Sequence, residues 1–210
     1  TYTPDASEYG TTVTLTLTTN ANGSCPAAVD MVEVVISEAP IAMAGPDQEI
    51  CETTLDVTLA GSIDGGATSL TWTTSGTGTF DNETLAAAVY TPSAADIAAG
   101  TVTLTLTTNA IGSCPAASDD MVLTISDLPT ADAGQDVETC ENAAVAITGT
   151  IGGGATTSTW TGGAGTFGDA TMASTTYTPD ASEYGTPVTL TLTTNANGSC
   201  PAAVDMVEVV

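Results

Sequence analysis

The chain has no lysine, arginine or histidine among its 210 residues, against 25 aspartates and glutamates. Without a cation it cannot neutralise phosphates, which excludes nucleic acid as a partner and makes anionic membrane surfaces poor ones. Ser-His-Asp and Cys-His nucleophiles cannot be assembled, nor can a Ser-Lys pair. Lys-Asn isopeptide staples are excluded for the same reason. A zinc site would have neither histidine nor CxxC spacing to draw on. Aromatic residues make up only 4% of the chain, and no run of about eighteen apolar residues is present to span a bilayer.

What is there is repetition. Thr1 to Val35 matches Thr176 to Val210 at every position except Thr12 against Pro187, and Thr101 to Ile125 is a more divergent third copy. Tyr2, Tyr90 and Tyr177 are separated by 88 and 87 residues, which sets units of under ninety residues. Next-nearest copies resemble each other more than neighbours do, as in a two-domain unit repeated along a longer parent chain. The expected division is 1–38 as the C-terminal part of a preceding repeat, 39–127 as a complete repeat, and 128–210 as a second repeat truncated near its last strand. The acidic residues are dispersed, and the hydrophobic fraction of 42% keeps strand period, so the chain is expected to fold rather than remain disordered.

Within Thr101 to Thr107, Val102, Leu104 and Leu106 alternate with threonines. A period of two places the aliphatics on one face of a strand and the hydroxyls on the other. Turn formers occupy Asn109 to Ser118, and Met121, Leu123 and Ile125 resume the alternation. In the first copy, either Met31 or Val32 with its alternates faces inward. Further strands are expected through IAMAGPDQEIC, bent at Gly45 and Pro46, through Leu55, Val57 and Leu59, through Leu70 and Trp72, and through Thr84 to Tyr90. Short helical turns are expected at Ala6 to Tyr9, entered by Asp5 or Ser7 and stopped at Gly10, and at Pro92 to Gly100. About seven short strands per repeat, a tryptophan on the third and a tyrosine before the sixth describe all-β, immunoglobulin-like Greek-key sandwiches. The expected core includes Trp72, Trp160, Tyr90, Tyr177, Leu104 and Leu106.

The segments AMAGPDQEIC, ADAGQDVETC (Ala131 to Cys140), VYTPSAADIAAGTVTLTLTT and GSCPAASDDMVLTI resemble the tandem PKD-like or Ig-like domains of very large Bacteroidetes surface proteins. The resemblance covers the whole chain in repeated blocks. It implies a secreted or cell-surface adhesin or filament in which stacked sandwiches form a stalk. The WDFGDG motif of the better-known PKD pattern is replaced by Trp72-Thr73-Thr74-Ser75-Gly76 and by Trp160-Thr161-Gly162-Gly163, so only fold and location carry over.

Five cysteines at recurring positions suit an oxidising, extracellular setting. Two connectivities are open. Cys51 lies after the first strand and Cys114 before the last, and those loops sit at opposite ends of a Greek-key sandwich, whereas a disulfide needs Cα atoms within about 7 Å. Stacking would then join Cys51 to Cys200 across a junction and leave Cys25, Cys114 and Cys140 to pair with cysteines of the parent chain. The alternative pairs Cys51 with Cys114 and Cys140 with Cys200 within repeats, leaving only Cys25 over.

No catalytic or cofactor-binding residues are assigned. Asp119 and Asp120 are adjacent on a strand and point to opposite faces, which suits a solvated strand start better than a carboxylate pair. Glu49 with Glu52, or Asp132 with Asp136, could help hold a junctional calcium ion, although no DxDxDG spacing is present. Asn22, Asn82 and Asn197 match the N-glycosylation acceptor pattern but also suit turns. The expected function is a non-catalytic stalk or filament segment whose partners are neighbouring repeats of the same long chain, with other copies in a filament as a further class of partner. The other reading is a glycan-binding module using exposed aromatic and threonine side chains, which requires Trp72 or Trp160 to be accessible.

Overall fold

A computed structural model describes all 210 residues, Thr1 to Val210. The chain is all-β, folded as immunoglobulin-like sandwiches. Two compact units divide it: Thr1–Pro46, Asp56–Thr91 and Thr103–Val122 form the first, and Asp47–Leu55, Pro92–Val102 and Leu123–Val210 the second.

In the second unit, strands Ser158–Thr161, Val188–Thr194 and Val204–Val209 form an antiparallel sheet. Facing it, Val145–Thr148, Ser174–Thr178 and Thr166–Phe167 form another, and Thr130–Asp132 pairs with Thr150–Gly152. Ile147, Trp160, Tyr177, Leu190, Leu192, Val207 and Val209 close the space between. The alternation written in TLTLTT is what sends Val188, Leu190 and Leu192 inward together, because successive strand residues face opposite sides. Val207 and Val209 are buried while Met206 is exposed, which sets the phase of the last strand. The Trp160 indole donates to the Ala173 carbonyl at 2.9 Å and lies 6.4 Å, centroid to centroid, from Phe167. Gly149 sits where any side chain would collide with that indole and with Leu192.

The first unit uses the same parts. Trp72 donates to the Leu85 carbonyl at 3.1 Å, and Tyr90 packs on Phe80 with centroids 5.0 Å apart. Leu104 and Leu106 are fully buried, and Leu106 stands opposite Trp72 in the antiparallel register of Leu70–Thr74 with the strand Thr101–Thr108. Asp119 accepts the Ala44 amide at 2.8 Å, and in the second unit Asp205 accepts the Ala133 amide at 2.8 Å. These bonds tie the edge segment ahead of Gly45 or Gly134, where φ is 89° or 85°, to the strand that ends each repeat. Positive φ of this kind is glycine territory.

The first unit also holds the hairpin Thr11–Thr18 with Val29–Ile36, paired from Thr11 opposite Ile36 to Thr18 opposite Val29. From Thr11 to Val35 its sequence is that of Thr186–Val210 save at Thr12, yet Leu17 is 72% exposed where Leu192 is 0% exposed. Val32 and Val207 differ in the same way.

Two expected strands are shorter than their sequence suggests. Only Val57–Thr58 is a strand in the Leu55 to Leu59 segment, and Leu55 is exposed. Thr84 to Ala88 forms turns, with the strand confined to Val89–Thr91, because Asn82 and Asp81 take the backbone amides of Thr84 and Val89 that a ladder would have used. The helical turns stand where expected: a 3-10 turn Ala6–Glu8 capped by Asp5, and a helix Ala94–Ala99 capped by Ser93 and ended by left-handed Gly100.

The duplicate strand provides an internal control. Leu192→Ala should destabilise the second unit by about 2–5 kcal/mol through the cavity it leaves. Leu17→Ala should change stability by no more than about 0.5 kcal/mol. Urea unfolding of the two variants checks this; equal losses would contradict the burial described.

Candidate functional site: a disulfide beside a parallel strand pair

In the second unit, Gln48–Cys51 runs parallel to Leu123–Ser126, with Cys51 in register with Ser126. Parallel pairing places the end of the first-loop strand level with the end of the repeat's last strand, so Cys51 arrives beside the residue that begins the exit from the repeat. The hairpin turn of Asn197 to Cys200, closed by the bonds Asn197 N–H to Cys200 O and Cys200 N–H to Asn197 O, sits on the same point. There Cys51 is bonded to Cys200, with Cα atoms 4.7 Å apart.

Polar side chains surround the bond. Ser126 Oγ donates to Glu49 Oε1 at 2.7 Å, and Ser199 Oγ donates to the Glu49 carbonyl at 2.8 Å. The Glu52 carboxylate accepts the Leu128 amide at 3.1 Å, and the Asn197 side-chain amide donates to the Asp127 carbonyl at 3.0 Å. Cys200 Sγ lies 3.1 Å from the Ser126 carbonyl oxygen; a disulfide sulfur has no proton to donate, so this is a packing contact. Gly198, at φ 51°, lies so close to Glu49 and Ser126 that a Cβ there would overlap both.

Of the two connectivities open in the sequence, the bond present is Cys51 to Cys200. Cys25, Cys114 and Cys140 carry free thiols. The pairs Cys51 with Cys114 and Cys140 with Cys200 are therefore not formed, since each sulfur makes one such bond and those of Cys51 and Cys200 are joined to each other. Ser126 was not singled out from sequence, Glu49 was considered only as a calcium ligand, and Gly198 and Ser199 only as part of the acceptor pattern at Asn197. The signal was there in Gly-Ser-Cys, written three times, and in the serine that recurs after the last isoleucine of the repeat, at Ser37 and Ser126.

The six core residues expected from sequence are all buried: Trp72, Trp160, Tyr90, Tyr177, Leu104 and Leu106. The indoles are 1% and 2% exposed, so neither offers a face on which a sugar could stack, and the glycan reading that required one of them is corrected. Asp119 and Asp120 are strand fasteners rather than an acid–base pair, the second accepting Thr105 Oγ1 at 2.6 Å. Among the carboxylates considered for calcium, Asp132 takes the Gly134 amide and Asp136 the Glu208 amide, both within the second unit. No three histidine, cysteine, aspartate or glutamate side chains are grouped so as to hold a metal ion. Asn82 and Asn197 both serve turns.

Tyr177 is the strongly shifted group. Burial, followed by its bond to Glu183 at 2.8 Å, pushes its hydroxyl up to about 12. For Glu183, burial opposes ionisation, but the amides of Ala164 and Asp180 and the Tyr177 hydroxyl outweigh it and lower the value. The constellation is a structural clasp between a strand and the 3-10 turn Ala181–Glu183.

These elements define a class: repeat-built immunoglobulin-like sandwiches with one disulfide. No family model matches the chain, and no curated protein matches it either. Among solved structures, human CDH23 EC21-23 is similar at 17% identity over 89% of this chain and 69% of that one, with a TM-score of 0.47. Drosophila N-cadherin EC1-4 is similar at 13% identity over 88% and 52%, TM-score 0.48. The titin I-band fragment I67-I69 is similar at 12% identity over 90% and 71%, TM-score 0.48.

Two measurements address this site. Cys200→Ser should lower the stability of the second unit by roughly 2–5 kcal/mol in non-reducing buffer, since the bond closes a very long loop. The same substitution in reducing buffer should cost little. The Tyr177 value lies above the roughly 10 of an unfolded tyrosine. Its contribution is therefore full below pH 10 and is lost as pH rises through about 12. Ultraviolet titration of Tyr177→Phe should lack the latest-ionising phase, and an unchanged curve would contradict the assignment.

Proposed function

We propose that the chain is a segment of an extracellular stalk or filament, belonging to a surface adhesin of the Bacteroidetes kind that its repeated blocks resemble. The observation that carries this reading is the Cys51–Cys200 bond, which ties the first-loop strand of one sequence repeat to the last hairpin of the following one. A covalent tie of that kind serves a module that bears load, because it limits how far the segments it joins can be drawn apart.

Three further features support it. The chain lacks the histidine and lysine that Ser-His, Cys-His and Ser-Lys sites require. Several of its carboxylates accept backbone amides and hydroxyls, as at Asp119, Asp205 and Glu49. Its formal charge of −25 opposes non-specific clumping and favours separated surfaces bathed in counter-ions. No helix is long and apolar enough to cross a membrane. The neighbours in this reading are other repeats of the same chain, together with copies alongside it in a filament.

Negative-stain electron microscopy of the native material carrying this sequence should show thin rods with a regular axial repeat. Compact globules without axial extension would overturn the reading.

A further inference from the structure

Each complete sequence repeat carries two cysteines, one after its first strand and one in its last hairpin, and the structure displays the environment of each kind with and without a partner. In the first unit, the turn Ile111 to Cys114 is closed by the same reciprocal backbone bonds as Asn197 to Cys200. Cys114 Sγ lies 3.7 Å from the Ser37 carbonyl oxygen, as Cys200 Sγ lies 3.1 Å from that of Ser126. A side chain on Gly112 would strike Ser37, just as one on Gly198 would strike Ser126. Cys114 is thus held in the pose of a bonded cysteine. What it lacks is a parallel strand beside Val29–Ile36 to bring a first-loop cysteine to it.

The converse holds for Cys140 in the second unit. Val137 pairs in parallel with Val209, Val210 N–H donates to Val137 O, and Thr139 N–H donates to Val210 O, each bond 2.9 Å long. This continues the arrangement that carries Cys51 alongside Ser126. Cys140 is exposed one residue beyond Thr139, on the rim of a cavity of about 70 Å³ lined also by Glu141, Tyr184, Val188 and Val210.

We propose that Cys140 and Cys114 are complementary halves of the bridge seen complete in Cys51–Cys200. The first-loop cysteine of each repeat bonds to the hairpin cysteine of the repeat after it, so that Cys140 takes a cysteine of the Cys114 kind. The inference rests on the stacked-repeat reading above and assigns its connectivity. The bond forms by exchange with a small disulfide such as oxidised glutathione. One protein thiolate displaces a glutathione thiolate, the second protein thiolate attacks the mixed disulfide and displaces the other, and two protons leave the protein thiols for the two released glutathiones. The two electrons lost by the cysteines reduce the glutathione disulfide.

The test extends the full chain after Val210 with a second copy of Ile36 to Asp127, which continues the repeat in register because Thr176–Val210 duplicates Thr1–Val35 save at one position. The protein is refolded in a glutathione redox buffer and cleaved without reduction by a Glu-specific protease, trypsin having no site in it. Mass spectrometry should find Cys140 linked to the added copy of Cys114, with Cys51–Cys200 kept. In Cys140→Ser the added Cys114 should become a free thiol while Cys51–Cys200 persists. A link within one molecule assigns the partner to a following repeat of the same chain. The same link found only in covalent dimers on a non-reducing gel overturns the assignment to the following repeat. Cys140 left as a free thiol, or joined to any cysteine not of the Cys114 kind, overturns the proposal. Rods by microscopy together with a free Cys140 would overturn the connectivity alone and leave the stalk reading standing.

Discussion

A strand pair whose aliphatics all lie on one face excludes water from that face only when a second sheet lies across it. Everything in this chain follows from that requirement. In the second unit Ile147 and Tyr177 of one sheet meet Trp160, Leu190, Leu192 and Val207 of the other, and all six are buried. In Thr11–Thr18 with Val29–Ile36, the same residues in the same register lie uncovered, and Leu17 and Val32 stand open to solvent. Hydrogen bonding within the pair does not depend on the cover, whereas burial of the side chains does.

The absence of cations shapes the polar chemistry as strongly as the aliphatics shape the core. A carboxylate here cannot be neutralised by an ion pair with a side chain, so the ordered ones accept amide and hydroxyl protons instead. Asp5, Asp180 and Asp169 each take an amide and a hydroxyl two residues on, and these bonds hold their carboxyls below the usual range. Asp119 and Asp205 use the same chemistry over a long sequence separation to fasten edge segments. Such charge-assisted bonds are short and directional, and they fix turns without help from neighbouring charge. Disulfide bonding then supplies the covalent restraint that a chain without lysine cannot obtain from isopeptide bonds.

Much of the fold was legible because period two and repetition are both local properties. The burial of Leu104, Leu106, Trp72 and Tyr90 could be read from alternation and from the recurrence of the aromatics. So could the caps at Asp5 and Gly100, whose residues make their own turns. The truncation of the strands around Leu55 and Thr84 was not legible, because Asp81 and Asn82 capture backbone amides that propensity assigns to a ladder. The phase of Val204–Val209 was also open, since Met206 and Val207 are both apolar and only the opposing sheet distinguishes them.

The sequence by itself determined that these segments alternate, that they recur as small β-units, and that no ionisable chemistry beyond carboxylates, thiols and phenols is available to them. Only tertiary structure decided which cysteines meet. Sulfur pairing depends on atoms coming within bonding distance, and Cys51 reaches Cys200 because a parallel strand pair and a Gly-Ser-Cys turn, 149 residues apart along the chain at their cysteines, end at the same point in space. Tertiary structure decided as well why Leu192 is buried and Leu17 is not, since two stretches of nearly the same sequence differ only in what lies against them.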